Sequence, residues 1–219
     1  MTDITAYDSI LRVLHRAKIL WRSKYMTPSP KLKTQERFTY ADYLTWPDDE
    51  RWEIINGVAY NMSPSPDSRH QEVSWQLCQQ LGRYLSGKRC KPFAAPFDVR
   101  FGKLNQSDNY IETVVQPDIV VICDTSKIDA RGCNGAPDLI IEITSPSTGK
   151  NDLTIKFDLY QSYDVKEYWI VHPYEQTVMV FKLQDSGMYG LPDCFGNNDK
   201  IAVPMLGELE IDLAEVFAL

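Results

Sequence analysis

The sequence predicts an α/β (α+β) fold, a mixed β-sheet sandwiched by helices, on three observations. Short apolar stretches of strand length recur, as in "TVVQPDIVVICD", "APDLIIEITSPST" and "EYWIVH". Two helix-period stretches are set among them: "SRHQEVSWQLCQQLGRYLSG", with Val73, Leu77, Leu81 and Leu85 on one face, and "NDLTIKFDLYQSYDV", with Leu153, Phe157, Tyr160 and Tyr163. The resulting order is hairpin, helix, three strands, helix, two strands, which layers helices onto a sheet. At 219 residues and 43% hydrophobic composition, the chain is long enough for one sizeable core.

Residues 7–25 read as a basic amphipathic helix, with Ile10, Leu14, Ala17 and Trp21 at helical spacing. Such a helix packs on the body or on another subunit, or binds a membrane surface or nucleic acid. The polar, proline-bearing "MTPSPKLKTQ" that follows reads as a linker. Residues 1–35 are therefore expected to form a basic helical extension, and residues 36–219 the folded domain. In that domain Thr39 is an N-cap for a short helix ending before Pro47. "WEIINGVAYNM" is a hairpin, because Asn56-Gly57 between apolar arms suits a type I′ turn. Gly87 stops the first long helix, and Asn151 or Asp152 starts the second. "EYWIVH" and "TVMVFKL" are strands joined by a turn at "PYEQ", and "LGELEIDLAEVFAL" supplies a last strand and a final helical turn. Trp46, Trp52, Trp75 and Trp169 read as core or interface packing rather than as platforms for bases.

Charge and cysteines narrow the function classes. Residues 1–35 hold seven basic residues against Asp3 and Asp8, leaving 16 basic and 28 acidic residues, a net of −12, for the body. A body so acidic lacks the broad basic footprint of a passive polyanion binder, so any contact with nucleic acid should be local and assisted by a cation. No apolar run is long enough to span a bilayer and no leader pattern opens the chain, so a cytoplasmic protein without a membrane partner is expected. Five scattered cysteines without a CxxC pair are expected to be free thiols, and zinc is not indicated.

The informative residues are carboxylates. In "APDLIIEITSPST", alternation puts Asp138, Ile140, Glu142 and Thr144 on one strand face. Asp138 lies roughly 13 Å along the strand from Glu142, too far for both to grip one ion. A partner for Glu142 must therefore come from a neighbouring strand, and "VVQPDIVVICD" supplies Asp118. Two such acids with open positions suit Mg²⁺, with Mn²⁺ able to substitute, because Mg²⁺ binds through one or two carboxylates plus waters and phosphate oxygens. A lysine beside them would orient water and offset negative charge. Lys150 lies in the preceding loop and Lys156 in the second helix; Lys156 is preferred, because a helix holds a side chain more precisely. His70 opens the first long helix, where a local hydrogen bond or a contact to phosphate or water would suit it. His172 reads as part of a surface turn.

"RWEIINGVAYNMSPSP", "VVQPDIVVIC", "APDLIIEITSPST" and "KFDLYQSYDVKEYWIVHP" occur in the order seen in a restriction-endonuclease-like family abundant in cyanobacteria. The chain resembles that family, part of the PD-(D/E)XK nuclease superfamily, over residues 36–219. The resemblance implies a restriction endonuclease-like fold and metal-dependent hydrolysis of phosphodiester bonds in DNA. It makes Asp118 and Glu142 the metal-binding acids, with the backbone carbonyl of Ile143 completing the coordination. The motif lysine would fall at Thr144, so Lys156 takes its place, and Glu53 in "WEIING" matches an acid near the metal. His172 and Asp164 depart from the family's usual Asp and Gly. A homodimer would suit cleavage of two strands. The competing classes are a non-catalytic nucleic-acid-binding or assembly module that retains the fold, and a metal-dependent hydrolase of small phosphoesters.

Overall fold

The computed structural model describes residues 37–47, 50–62, 67–103, 106–145 and 152–218. The predicted extension, residues 1–35, and Lys150 lie outside these. Among the described residues fourteen strands and four α-helices run in chain order: α1 (Tyr40–Tyr43), β1 (Trp52–Ile55), β2 (Val58–Asn61), α2 (Ser68–Leu85), β3 (Lys91–Ala94), β4 (Val99–Arg100), β5 (Val114–Val115), β6 (Ile119–Ile122), β7 (Ile128–Asp129), β8 (Gly132–Asn134), β9 (Leu139–Ile143), α3 (Phe157–Ser162), β10 (Glu167–His172), β11 (Thr177–Lys182), β12 (Asp193–Gly196), β13 (Lys200–Val203), β14 (Leu209–Asp212) and α4 (Leu213–Val216).

The fold is mixed α+β, and its strands form two large mixed sheets rather than one. The central sheet has the order β12-β11-β10-β9-β6-β3, and the second has the order β2-β1-β5-β4-β8-β7. The division follows from two prolines. "TVVQPDIVVICD" was expected to be one strand but breaks at Pro117, and "FAAPFDVRF" breaks likewise at Pro96. Proline has no N–H for the ladder. The chain crosses there, so β3 and β6 join the central sheet while β4 and β5 join the second.

One face of the central sheet packs on α2, α4 and the β13–β14 hairpin; Val73, Leu77, Leu81 and Leu85 of α2 meet Ile119, Ile141, Trp169 and Val180 there. The other face packs on α3 and the second sheet, through Val120, Ile140, Tyr160, Tyr168, Val99 and Val115. A smaller cluster with Phe38, Tyr40, Trp52 and Ile54 covers the far side of the second sheet.

Local signals explain the ends of these elements. Thr39 and Asp42 form a capping box on α1. Asn56 and Gly57 have φ of 51° and 79°, the paired positive values that a type I′ turn requires. The second predicted helix departs from expectation, because a π-helical turn, Asp152–Lys156, precedes α3.

The expectation of five free thiols is overturned. The β3–β6 register pairs Lys91 with Ile122, so Cys90 and Cys123 face each other at the next position and form a disulfide. Cys78, Cys133 and Cys194 are free. Trp52 and Trp169 are buried as expected, but Trp75 is 63% exposed. Among the described residues no helix is long and apolar enough to cross a membrane.

Candidate nuclease site

β9 lies between β10 and β6, and all five of its residues are buried, including Glu142 at 4% exposure. A carboxylate at such a position needs charge or hydrogen-bond partners. Glu142 has both: its Oε1 accepts from Lys156 Nζ at 3.0 Å and from the Tyr160 hydroxyl at 2.7 Å. Burial first, and then the charges of Glu142 and Glu53, push the Tyr160 phenol well above its ordinary range, so it stays neutral and donates. Lys156 is itself buried at the junction between the π-helical turn and α3. Its Nζ also lies 3.1 Å from Glu53 Oε1. Glu53 sits on β1 and is buried, and its Oε1 accepts the Gln116 backbone N–H at 2.9 Å. One ammonium thus joins acids from both sheets.

Asp118 enters through strand register. The antiparallel β6–β9 ladder pairs Ile119 with Ile141, which sets Asp118 opposite Glu142 at the next step. Its Oδ2 accepts the Ile143 backbone N–H at 2.8 Å and lies 3.3 Å from His70 Nε2. His70 is held at the start of α2, where Asp67 caps the helix by accepting the His70 backbone N–H. Burial works against a charge on this imidazole. The hydrogen bond to Asp118, the charges of Asp118 and Asp67, and the Ile143 backbone together outweigh it and raise the pKa above 6.5.

Asp118, Glu142, Glu53, Lys156 and the Ile143 backbone therefore come together as a group. Neither Asp118 nor Glu142 is unpartnered. Thr144, at the position of the motif lysine, bonds instead to the Val171 carbonyl at 3.2 Å and to His172 Nδ1 at 3.0 Å, tying β9 to β10. His172 is thus the end of a strand, not a surface turn. Asp138, the other Pro-Asp acid, is a structural residue: it holds Lys166 Nζ at 2.6 Å and the Cys123 N–H at 2.7 Å.

Three participants were not read as such from the sequence. Tyr160 was counted as apolar, although it lies four residues after Lys156 on the same helical stretch. Gln116 donates from Nε2 to Asp98 at 2.8 Å and to the Tyr43 hydroxyl at 3.1 Å, and no local pattern marks it. His70 was seen, but nothing in the sequence pairs it with Asp118. A cavity of about 620 Å³ opens beside these residues, lined by Asp118, His70 and Gln116 together with Tyr43, Trp46 and Trp52.

The donor chemistry fits a hard divalent cation. Glu142 and Glu53 lie on Lys156 and Asp118 on the imidazole of His70, so three carboxylates outnumber the two positive charges even with the imidazole protonated. Oxygen donors of this kind suit Mg²⁺ or Mn²⁺. Among the described residues no group of three or more His, Cys, Asp or Glu could hold an ion by itself.

Comparison with known proteins agrees with this reading of the fold. A crystallised protein from Anabaena variabilis, described as a "putative nuclease belonging to DUF820", superposes with a TM-score of 0.65 at 21% identity, over 83% of this chain and 98% of that one. An uncharacterized protein of Synechocystis sp. is 27% identical over 163 residues, which is 73% of this chain and 78% of that protein. Residues 40–214 match the Uma2 family, described as "Putative restriction endonuclease", and the chain belongs to that family.

Proposed function

We propose that the protein is a divalent-metal-dependent endonuclease that hydrolyses phosphodiester bonds in DNA. The observation that carries this reading is Lys156, buried with its ammonium 3.0 Å from Glu142 and 3.1 Å from Glu53, in place of the lysine missing at Thr144. A lysine turned away from the acids would have favoured an inert module that keeps the fold.

In this reading Asp118 and Glu142 would hold Mg²⁺, with the Ile143 carbonyl beside them. When bound, the ion supplies Lewis acidity to water and to the phosphoryl oxygens. Lys156 offers its Nζ protons to oxygen at the reacting phosphorus and stabilises the negative charge that builds there. Glu53 keeps that ammonium oriented and contributes to the ion's water shell, while Tyr160 holds Glu142 in one rotamer. The imidazole of His70 anchors Asp118 and lines the cavity through which a phosphate would approach.

The test is single-turnover cleavage of supercoiled plasmid with Mg²⁺ or Mn²⁺, with wild type and Glu142→Gln purified in parallel. Metal-dependent nicking by wild type that Glu142→Gln abolishes would support the assignment. Equal residual nicking by both would identify contamination and end it.

A further inference from the structure

We infer that the cavity beside the site holds one unstacked nucleobase, so that the preferred substrate is a single DNA strand, or an unpaired stretch, rather than continuous duplex. The cleavage half of this inference rests on the nuclease reading; the binding half does not.

Three observations carry it. First, the cavity is continuous with the candidate site, since Asp118 and His70 line it. A nucleotide whose phosphate lies at Asp118 would project its base into this space. At about 620 Å³ the cavity falls within the roughly 300–1,000 Å³ of small-molecule pockets, ample for a base. Second, aromatic rings line it as well, Tyr43, Trp46 and Trp52, so Trp46 takes a role beyond the packing that its sequence context suggested. Trp46 sits edge-on between Tyr43 and Trp52, with centroids 5.6 Å and 5.8 Å away, and is only half-buried. A base inside a duplex is already stacked and cannot reach such a wall, whereas a free base gains by stacking on it. Third, the body carries a net of −12, so it offers little grip on the phosphates of either a duplex or a single strand. Stacking supplies affinity where charge does not.

Some polar groups of the pocket are committed: Gln116 donates to Asp98 and Tyr43 and accepts from Arg51, and the Trp52 indole N–H donates to Glu50.

The experiment follows binding by intrinsic fluorescence on the full chain with millimolar Ca²⁺, which oxygen ligands hold as they hold Mg²⁺. The probes are a ten-residue oligothymidylate, an abasic strand of the same length, and a duplex. Wild type should bind the oligothymidylate on the order of 5- to 150-fold more tightly than the abasic strand. Leu44→Glu places a charge at the cavity on a side chain that is 49% exposed, so packing is undisturbed, and should erase that preference. Trp46→Ala should do the same if it folds. Equal binding of abasic and normal strands, preference for duplex, an unaltered preference in Leu44→Glu, or no binding at all would overturn the inference. Single-turnover cleavage with Mn²⁺ then separates the two readings. Base-dependent binding without cleavage supports the pocket and defeats the nuclease assignment. Duplex cut as fast as single strand, with Leu44→Glu unaffected, defeats the pocket and leaves the nuclease assignment standing.

Discussion

Lys156→Met keeps the side chain's length and removes its charge. In the folded protein that ammonium is 8% exposed and serves Glu142 and Glu53 at 3.0 Å and 3.1 Å. Deleting one partner of a buried ion pair costs about 3–5 kcal/mol, because the other charge stays buried without compensation. Here each acid keeps a hydrogen bond, Glu142 from Tyr160 and Glu53 from the Gln116 N–H, so the lower figure applies. About 3 kcal/mol is a large part of a domain's ~5–15 kcal/mol, yet it leaves the protein folded at room temperature. For a domain of this size it corresponds to a fall of roughly 6–12 °C in Tm. The assay is thermal unfolding in EDTA at pH 7, repeated with millimolar Mg²⁺ or Mn²⁺. The deficit should shrink with metal, since a cation among the same acids replaces the lost charge and binds only the folded state. In single-turnover cleavage the variant should lose about 10²–10³ in rate, the usual cost of removing a group aimed at developing charge. A Tm in EDTA within about 2 °C of wild type would refute the argument that the ammonium is what makes the buried acids tolerable.

Glu142→Gln should lose the metal-dependent rise in Tm and should not stabilise the metal-free fold, because it removes a partner of Lys156 rather than a repulsion; a more stable variant in EDTA would contradict this. Glu167 offers a pH test far from the candidate ligands. Burial raises its carboxyl above the ordinary 4.5, opposed by the Trp169 indole N–H and by Lys182, so the folded chain holds the proton more tightly than the unfolded chain. That contribution to stability is complete below about pH 4.5 and is lost as pH rises through the folded-state pKa, so Glu167→Gln should melt higher than wild type at pH 7 and lose the advantage near pH 4. Thiol titration of the oxidised, denatured chain should count three free cysteines, and five would remove the Cys90–Cys123 bridge. A chain starting at Met26 should fold, because residues 1–35 differ from the body in charge and end in a proline-bearing linker; insoluble product would make the first 25 residues integral to the body.

Local signals made many elements legible in advance. Val73, Leu77, Leu81 and Leu85 repeat at helical period because that face is buried, and all four are. Asn56-Gly57 announced its turn because few residues accept two consecutive positive φ values. Glu142 stood out because an acid in an apolar strand needs a partner, and Lys156 because it was the lysine a helix could hold firmly. None of these signals says where a segment goes after it forms. "QPD" and "APD" look alike in sequence, yet Asp118 faces Glu142 while Asp138 is taken up by Lys166 and the Cys123 N–H. Register between β6 and β9 made that choice, and register is set by contacts between segments distant in sequence. The same holds for Pro96 and Pro117, which end a ladder without naming the sheet the chain joins next. It holds for His70, set against Asp118 across 48 positions of sequence because α2 packs over the end of β6. Periodicity and turn chemistry act over a few neighbouring residues and are written along the chain; the pairing of buried charges acts between surfaces, and only their packing creates it.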